Sequence, residues 1–195
     1  MINTTSARAA ITMAMANGWR SPDLTVRVQT GSKGDTTPQI LHGIDCGRVL
    51  AAVDALPEPV RSWIYVAYAP AGWVTENHVW RVQEELITEY HRRRQVREPG
   101  KIAVMALVCL SDMRARLSRN APKLGPAAIA KKVRFDIRNW GNGWSDSYAV
   151  LEDIIDQWDR DGLGPIAKNL PRWTRAALEE EREERRQRRR AVAQL

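Results

Sequence analysis

A stripe of aromatic and branched side chains between Asp136 and Asp161 constrains the fold more than any other feature of the chain. Its members recur every three or four residues and are Ile137, Trp140, Trp144, Tyr148, Leu151, Ile155 and Trp158. At about 100° per residue they fall within an arc of roughly 80° on a helix. A strand would direct alternate members to opposite faces. The spacing therefore predicts a helix over 136–161 that buries one narrow apolar face.

The ends of this helix have recognisable signals. Asp136 suits the N-cap, because its carboxylate can accept hydrogen bonds from the free amides of the first turn. Gly162 and Gly164-Pro165 indicate the C-terminal end. Gly141 and Gly143 each cost about 1 kcal/mol relative to Ala inside a helix. The alternative to one continuous helix is therefore a short separate helix that bends at Gly141–Gly143.

The preceding residues predict a shorter helix and a tight turn. Pro126 suits the first position of a helix over 126–133, since a proline lacks the amide hydrogen that this position leaves unpaired. Arg134-Phe135 then connects to Asp136. The order of helix, turn and helix, at about residues 126–145, resembles the general helix-turn-helix pattern of DNA-binding proteins. The alternative is an ordinary helical hairpin in an all-α core.

The turn itself departs from that pattern. Its position that is usually glycine is Arg134. A side chain there must tolerate a positive φ, at a cost on the order of 1 kcal/mol. We therefore expect a left-handed backbone at Arg134.

The composition is that of a globular protein with tails. Of 195 residues, 44% are hydrophobic and 27% are charged. Cys46 and Cys109 have no neighbours at metal-binding spacing, which favours a reducing cytoplasm and no structural zinc. No stretch reaches the length needed to span a bilayer, so we expect no membrane partner. Nothing in the sequence indicates a cofactor.

Hydrophobic periodicity divides the rest of the chain into further helices and two flanking segments. We expect helices over 47–56, 58–69, 75–96 and 101–119, the last of them central and buried. Thr75 can cap the third of these helices. Residues 1–45 are polar and predict a partly mobile N-terminal arm, with helix between Ser6 and Asn17. Residues 166–195 predict a charged C-terminal helix or tail. The expected fold is all-α, with a helical core over 46–165.

The positive charge is concentrated around the proposed helix-turn-helix. The net charge of the chain is +7, yet residues 91–138 hold thirteen Lys or Arg against three acids. Such a block is the electrostatic footprint of a surface that binds a polyanion, because each neutralised phosphate releases counterions. The alternative is a solvated surface that aids solubility.

Two sets of residues are candidates for contacts with double-stranded DNA. If the helix after Asp136 enters a major groove, its first turns present Asp136, Arg138, Asn139 and Asn142 to the base edges. A second set would hold phosphates and comprises Arg92, Arg93, Arg94, Arg97, Arg119, Lys123, Lys131, Lys132 and Arg134.

The sequence favours a binding protein over an enzyme. Its three histidines, His42, His78 and His91, are scattered and form no catalytic or metal-binding pattern. Four aspartates, at 153, 156, 159 and 161, lie mostly away from the aromatic stripe, where helix solubility explains them.

The tryptophan placement carries a family resemblance. The segment Leu56-Pro57-Glu58-Pro59-Val60-Arg61-Ser62-Trp63 leads to Tyr68, and Arg138-Asn139-Trp140 is followed by Trp144 and Tyr148. Over residues 45–165 the chain resembles the Q-type antitermination proteins, late-gene regulators of phages and prophages. The zinc-binding cysteine cluster of the lambda protein is missing here, although other Q-type groups lack zinc.

The resemblance implies a protein that binds DNA beside a phage late promoter and engages the sigma-containing host RNA polymerase, so that the polymerase reads through terminators. It implies a location in the cytoplasm of the bacterial host, at the nucleoid. The arm over 1–45 and the helix over 166–195 are then the natural polymerase contacts. The alternatives are a DNA-packaging or nucleoid-type phage protein and an all-α interaction or scaffold protein whose tryptophan stripe forms a homodimer interface.

Overall fold

The computed structural model describes residues 4–18, 37–70, 72–95 and 98–192. Within these ranges the chain forms α-helices and contains no strand, which confirms the all-α prediction. The α-helices are α1 (Thr4–Gly18), α2 (Thr37–Asp54), α3 (Glu58–Tyr68), α4 (Glu76–Arg93), α5 (Pro99–Arg119), α6 (Pro126–Val133) and α7 (Ser145–Val192). A 3-10 turn (Ile137–Asn139) and a kinked turn (Trp140–Trp144) lie between α6 and α7.

The chain forms two compact units. One combines Met1–Ala55 with Leu163–Leu195, and the other is Leu56–Gly162. This division differs from the predicted segments 1–45, 46–165 and 166–195, which stay a prediction.

The first unit is built on the packing of α1 against α2. Helix α1 buries Ala7, Ile11, Ala14 and Met15, one side of the helix at spacings of three and four. The predicted helix between Ser6 and Asn17 is therefore present. Because α1 packs against another helix, this part of the predicted arm belongs to a packed unit.

The second unit is arranged around α5, as predicted. Helix α5 packs against α3, α4 and α6, and its apolar residues Ile102, Met105, Cys109 and Leu110 are almost entirely buried. Helix α3 contributes Trp63 and Ile64, both fully buried. Helix α4 begins at the predicted cap, where the Thr75 side chain accepts from the His78 amide and the His78 ring accepts from the Thr75 amide.

The aromatic stripe is buried only along its regular part. Tyr148, Leu151, Ile155 and Trp158 lie in the core, as predicted. Trp140 and Trp144 are half-buried. The prediction for Ile137 is wrong, because this side chain is 45% exposed. It lies in the 3-10 turn before the kink, where about 120° per residue replaces the α-helical angle and shifts the stripe out of phase.

The predicted end of the stripe helix is also wrong. Helix α7 continues through Gly162, Gly164, Pro165 and Pro171 to Val192. Gly162 has a packing role instead, since a Cβ atom there would lie 2.6 Å from the side chain of Ile64 and 3.3 Å from Val60. The glycine thus permits α7 and α3 to approach closely within the second unit.

Gly162→Ala tests this close approach. We expect it to lower the free energy of unfolding by about 1–3 kcal/mol, because Ile64 is fully buried and has little room to move. Gly164→Ala is the matched control in the same helix, where a Cβ atom meets nothing within 4 Å. The control should be stabilising by about 0.5–1 kcal/mol. Chemical denaturation measures both, and a stabilised Gly162→Ala would contradict the packing role.

Candidate nucleic-acid interface

The turn after α6 adopts the left-handed backbone that was expected at Arg134. Arg134 has φ 64° and ψ 54°, so the predicted positive φ is confirmed. The amides of Arg134 and Phe135 both donate to the carbonyl of Ala130, which closes the end of α6. Ile129, Ala130 and Val133 are buried, so the opposite side of α6 faces solvent.

The segment after the turn is irregular. Of the two predicted forms, a continuous helix and a helix that bends at Gly141–Gly143, it adopts the second. Asp136 acts as the predicted N-cap, and its carboxylate accepts from the Arg138 amide at 2.9 Å. The 3-10 turn of 137–139 then leads into a kink, where Gly143 has φ 94°. The predicted bend at Gly141–Gly143 is therefore confirmed. Residues 137–144 do not form the regular α-helix that normally enters a major groove.

All four predicted base-reading residues are exposed in this segment. The Arg138 side chain is 89% exposed, and its Nε atom lies 3.3 Å from the Asp136 carboxylate. The Asn142 amide donates to the Asn139 side chain at 3.3 Å. Asp136 accepts from the Arg138 amide and pairs with its guanidinium, so its carboxylate is engaged in holding the segment. The structure thus brings the four together on one short stretch of chain.

Stacked aromatic rings pack within and beside the irregular segment 137–144. The Phe135 ring stacks on Trp144 with centroids 5.1 Å apart and on Trp140 at 6.2 Å. Trp140 in turn contacts Tyr148 at 6.1 Å. The ammonium group of Lys101 lies 5.6 Å from the centre of the Trp144 ring, a cation–π contact. The half-buried indoles therefore connect the irregular segment to the core.

A buried carboxylate connects α5 to the loop before α6 and to α7. Asp112 is 4% exposed, and it accepts from the Leu124 amide at 3.0 Å and from the Tyr148 hydroxyl at 3.3 Å. The Arg116 guanidinium lies 3.2 Å from the same carboxylate. Burial, followed by the nearby Cys109 and Asp112, raises the pKa of Tyr148, which keeps its hydroxyl protonated as a donor. Asp112 therefore holds the loop at Leu124, two residues before α6 begins.

Three of the predicted phosphate-binding residues are available to a ligand. Lys131, Lys132 and Arg134 are exposed, and in the part of the chain that the structure describes their side chains have no ion pair or hydrogen bond. They lie at the end of α6 and in the turn, directly before the exposed segment 136–142. We call Lys131, Lys132, Arg134, Arg138, Asn139 and Asn142 the turn surface.

The arginines at the end of α4 have other partners. Arg93 binds Glu89 and Asp153, each at 3.0 Å, and Gln157 at 2.9 Å. Arg94 binds Asp146 at 3.2 Å. These contacts fasten the end of α4 to α7, and a phosphate would have to displace them. Arg92 pairs with Glu89 at 3.2 Å but remains largely exposed.

The remaining predicted phosphate contacts are Lys123, Arg119 and Arg97. Lys123 binds Glu152 at 2.6 Å, and Arg116 shares that carboxylate at 2.8 Å. Arg119 is the last residue of α5. Arg97 lies outside the described residues.

Acids on α7 neutralise part of the basic block, and the sequence did not predict this pairing. Asp146, Glu152 and Asp153 pair with basic residues of α4, α5 and the loop before α6. Attributing the aspartates of this helix to solubility was wrong for Asp159, which is 4% exposed and accepts from the Tyr68 hydroxyl at 2.6 Å. The sequence signal that could have indicated these pairs is the run of acids in α7, which follows the basic segment 91–138.

Among the described residues, no group of three His, Cys, Asp or Glu side chains could hold a metal ion. Burial raises the pKa of the Cys109 thiol, which disfavours its nucleophilic thiolate form. His78 is engaged in capping α4.

No family model, curated protein or solved structure matches this chain. Within the ranges that the structure describes, no helix combines the length and the apolar character required to cross a membrane. Any assignment of function therefore depends on the residues and their geometry.

Arg134→Gly tests whether the turn is strained. We expect the free energy of unfolding to rise by up to about 1 kcal/mol, because glycine adopts a positive φ without the steric cost of a Cβ atom. Asn120→Gly is the matched control, since Asn120 ends α5 at φ 50° and asparagine tolerates this backbone better. Thermal unfolding should show a larger gain for Arg134→Gly than for the control. An equal or smaller gain would argue against strain at Arg134.

Proposed function

We propose that this protein binds double-stranded DNA through the turn surface. The observation that carries the proposal is the contrast between two groups of basic residues. Arg93, Arg94 and Lys123 are held by acids of α7, whereas Lys131, Lys132 and Arg134 are exposed and unpaired within the described residues. Unpaired cations on a rigid turn can neutralise phosphates without first losing an internal ion pair.

The neighbouring side chains supply groups that can distinguish bases. Arg138 is almost fully exposed, and the two asparagines carry amides that can pair with adenine. Asp136 receives a positioning role in this proposal, because its carboxylate holds Arg138. Contacts to bases would come from an exposed irregular segment, with α6 and the turn fixing its register on the phosphates.

Salt dependence separates phosphate contacts from base contacts. Lys131→Ala and Lys132→Ala should weaken binding to every duplex sequence and reduce the slope of log affinity against log salt by about 1 each. Arg138→Ala and Asn142→Ala should instead weaken binding to a preferred sequence by about 1–3 kcal/mol and leave other sequences less affected. Fluorescence anisotropy with labelled duplexes over a series of salt concentrations measures both effects.

The controls are Arg93→Ala and Lys168→Ala. Arg93 is occupied by α7, and Lys168 is an exposed lysine outside the turn surface. Neither change should alter the salt slope. Equal losses on all sequences for Arg138→Ala, Asn142→Ala and Lys131→Ala would remove base reading from the proposal. An unchanged slope for both lysine variants would remove the turn surface.

We further propose that the DNA-bound protein acts as a late-gene antiterminator on host RNA polymerase. The support for this step is the resemblance of residues 45–165 to the Q-type proteins. Two of the aromatic residues that carry it, Trp63 and Tyr68, are buried in the second unit, so the resemblance concerns the core as well as the surface. Candidate polymerase contacts remain residues 1–45 and 166–195.

Transcription in vitro across a terminator tests the polymerase step. On a template with the cognate promoter-proximal site, the protein should raise read-through, and Lys131→Ala combined with Lys132→Ala should abolish the increase at physiological salt. Arg160→Ala, an exposed position of α7 outside both the turn surface and residues 166–195, should leave read-through unchanged. DNA binding without any read-through, and without co-purification of RNA polymerase, would favour the packaging or nucleoid-type function instead. A dimer free of nucleic acid that keeps its mass in high salt would favour the scaffold.

A further inference from the structure

A polar cavity lies beside the turn surface in the second unit. It has a volume of about 460 Å³ and is bordered by the end of α4, the start of α5 and the kink before α7. Its lining includes Tyr90, Arg94, Gln95, Ile102, Asn142 and Trp144. Ligand pockets for small molecules usually measure about 300–1,000 Å³, so the space is sufficient for a planar ring system.

The kink determines one side of this cavity. Gly143 at φ 94° interrupts the helix, and its carbonyl accepts from the Ser147 hydroxyl at 2.9 Å. The Tyr90 hydroxyl donates to the same Ser147 oxygen at 2.9 Å. Tyr90, Gly143 and Ser147 therefore form a fixed border, and their hydrogen bonds are satisfied within the protein. Polar recognition is left to the exposed side chains of the lining.

The charged side chains that line the cavity are paired. Arg94 and Glu98 both line the cavity, and each is paired with a charge of opposite sign, Arg94 with Asp146 and Glu98 with Lys101. A cavity of this kind offers no excess positive charge to a phosphate. It favours a ligand that is polar but uncharged.

The exposed side-chain amides of the lining suit the edge of a heterocycle. Gln95 and Asn142 each provide a donor and an acceptor. Ile102, which is 3% exposed, and Trp144, whose ring also contacts Phe135 and Lys101, lie beside them in the lining. A neutral planar ring with alternating donors and acceptors along its edge matches this combination, and nucleobases have that chemistry.

We propose that this cavity binds a single nucleobase that is unpaired or extruded from a duplex held by the turn surface. Asn142 belongs to both the turn surface and the cavity lining, so a base displaced at that point of the DNA has a short path into the cavity. The inference builds on the proposed DNA binding for delivery of the base. The recognition of the base itself depends only on the cavity.

Free nucleosides test the cavity without the DNA surface. Adenosine, guanosine, cytidine and thymidine carry no phosphate, and each is added to the protein while the tryptophan indole N–H signals are followed by NMR. At least one nucleoside should shift the Trp144 signal, identified through Trp144→Phe, in a saturable manner. Trp80, which is 54% exposed on α4 and absent from the cavity lining, is the internal control and should not shift. Inorganic phosphate should shift neither signal.

The DNA experiment uses a duplex with one unpaired nucleotide and its fully paired counterpart. The duplex with the unpaired base should bind at least about tenfold more tightly, as expected if the amide contacts to one base contribute about 1–3 kcal/mol. Gln95→Leu, which removes an amide from the lining at nearly constant volume, should abolish this advantage and leave affinity for the paired duplex unchanged. Lys132→Ala should weaken both duplexes equally.

The outcomes distinguish the two proposals. Failure of the paired duplex to bind would overturn the proposed DNA binding, while a saturable Trp144 shift with a nucleoside would still support the cavity. Equal affinity for the two duplexes together with an unmoved Trp144 signal would overturn the cavity proposal. An advantage of the unpaired base that survives Gln95→Leu would also overturn it, because flexibility of the DNA would then explain the preference.

Discussion

The arrangement of the second unit depends on one buried carboxylate. The Asp112 side chain is 4% exposed, and burying its polar oxygens is costly unless they find hydrogen-bond partners. It meets this condition by accepting from the Leu124 amide and the Tyr148 hydroxyl beside the Arg116 guanidinium. These partners come from the loop before α6, from α7 and from α5 itself. Loss of Asp112 would therefore release the loop that positions α6, and with it the turn surface.

Pairing of charges, more than their total, decides which residues can bind a polyanion. The segment 91–138 carries a large positive excess in the sequence. In the fold much of this excess is neutralised by Asp146, Glu152 and Asp153, which approach it from α7. Exposed ion pairs of this kind are worth about 0–1 kcal/mol each, so their main effect is to orient the arginines. The unpaired cations of α6 and the turn remain as the electrostatic feature that a partner would sense.

Local features of the fold could be predicted from the sequence, and long-range features could not. The caps at Thr75 and Asp136, the proline at the start of α6 and the positive φ at Arg134 follow from interactions within a few residues. The pairing of Arg94 with Asp146 joins residues 52 apart, and that of Arg93 with Asp153 joins residues 60 apart. No periodicity signals such pairs. Gly162 was wrongly predicted to end the helix for the same reason. Its role is to make room for Ile64 of α3, which is far away in the chain.

The spacing in the sequence indicated which residues to consider for the candidate site, but it did not indicate the shape of the backbone that carries them. The spacing of the stripe favours a helix through 136–144. It does not predict the cavity that lies beside the interruption of this helix. Arg134 at a positive φ, the 3-10 turn and the kink at Gly143 are three departures from regular structure within ten residues of chain. Departures of this kind persist where the surrounding structure holds them, and they concentrate at functional sites. Here the stack of Phe135 on Trp144 and the Asp136 cap hold them. The irregular segment exposes Asn142 and opens the cavity beside it, which a continuous helix would not do.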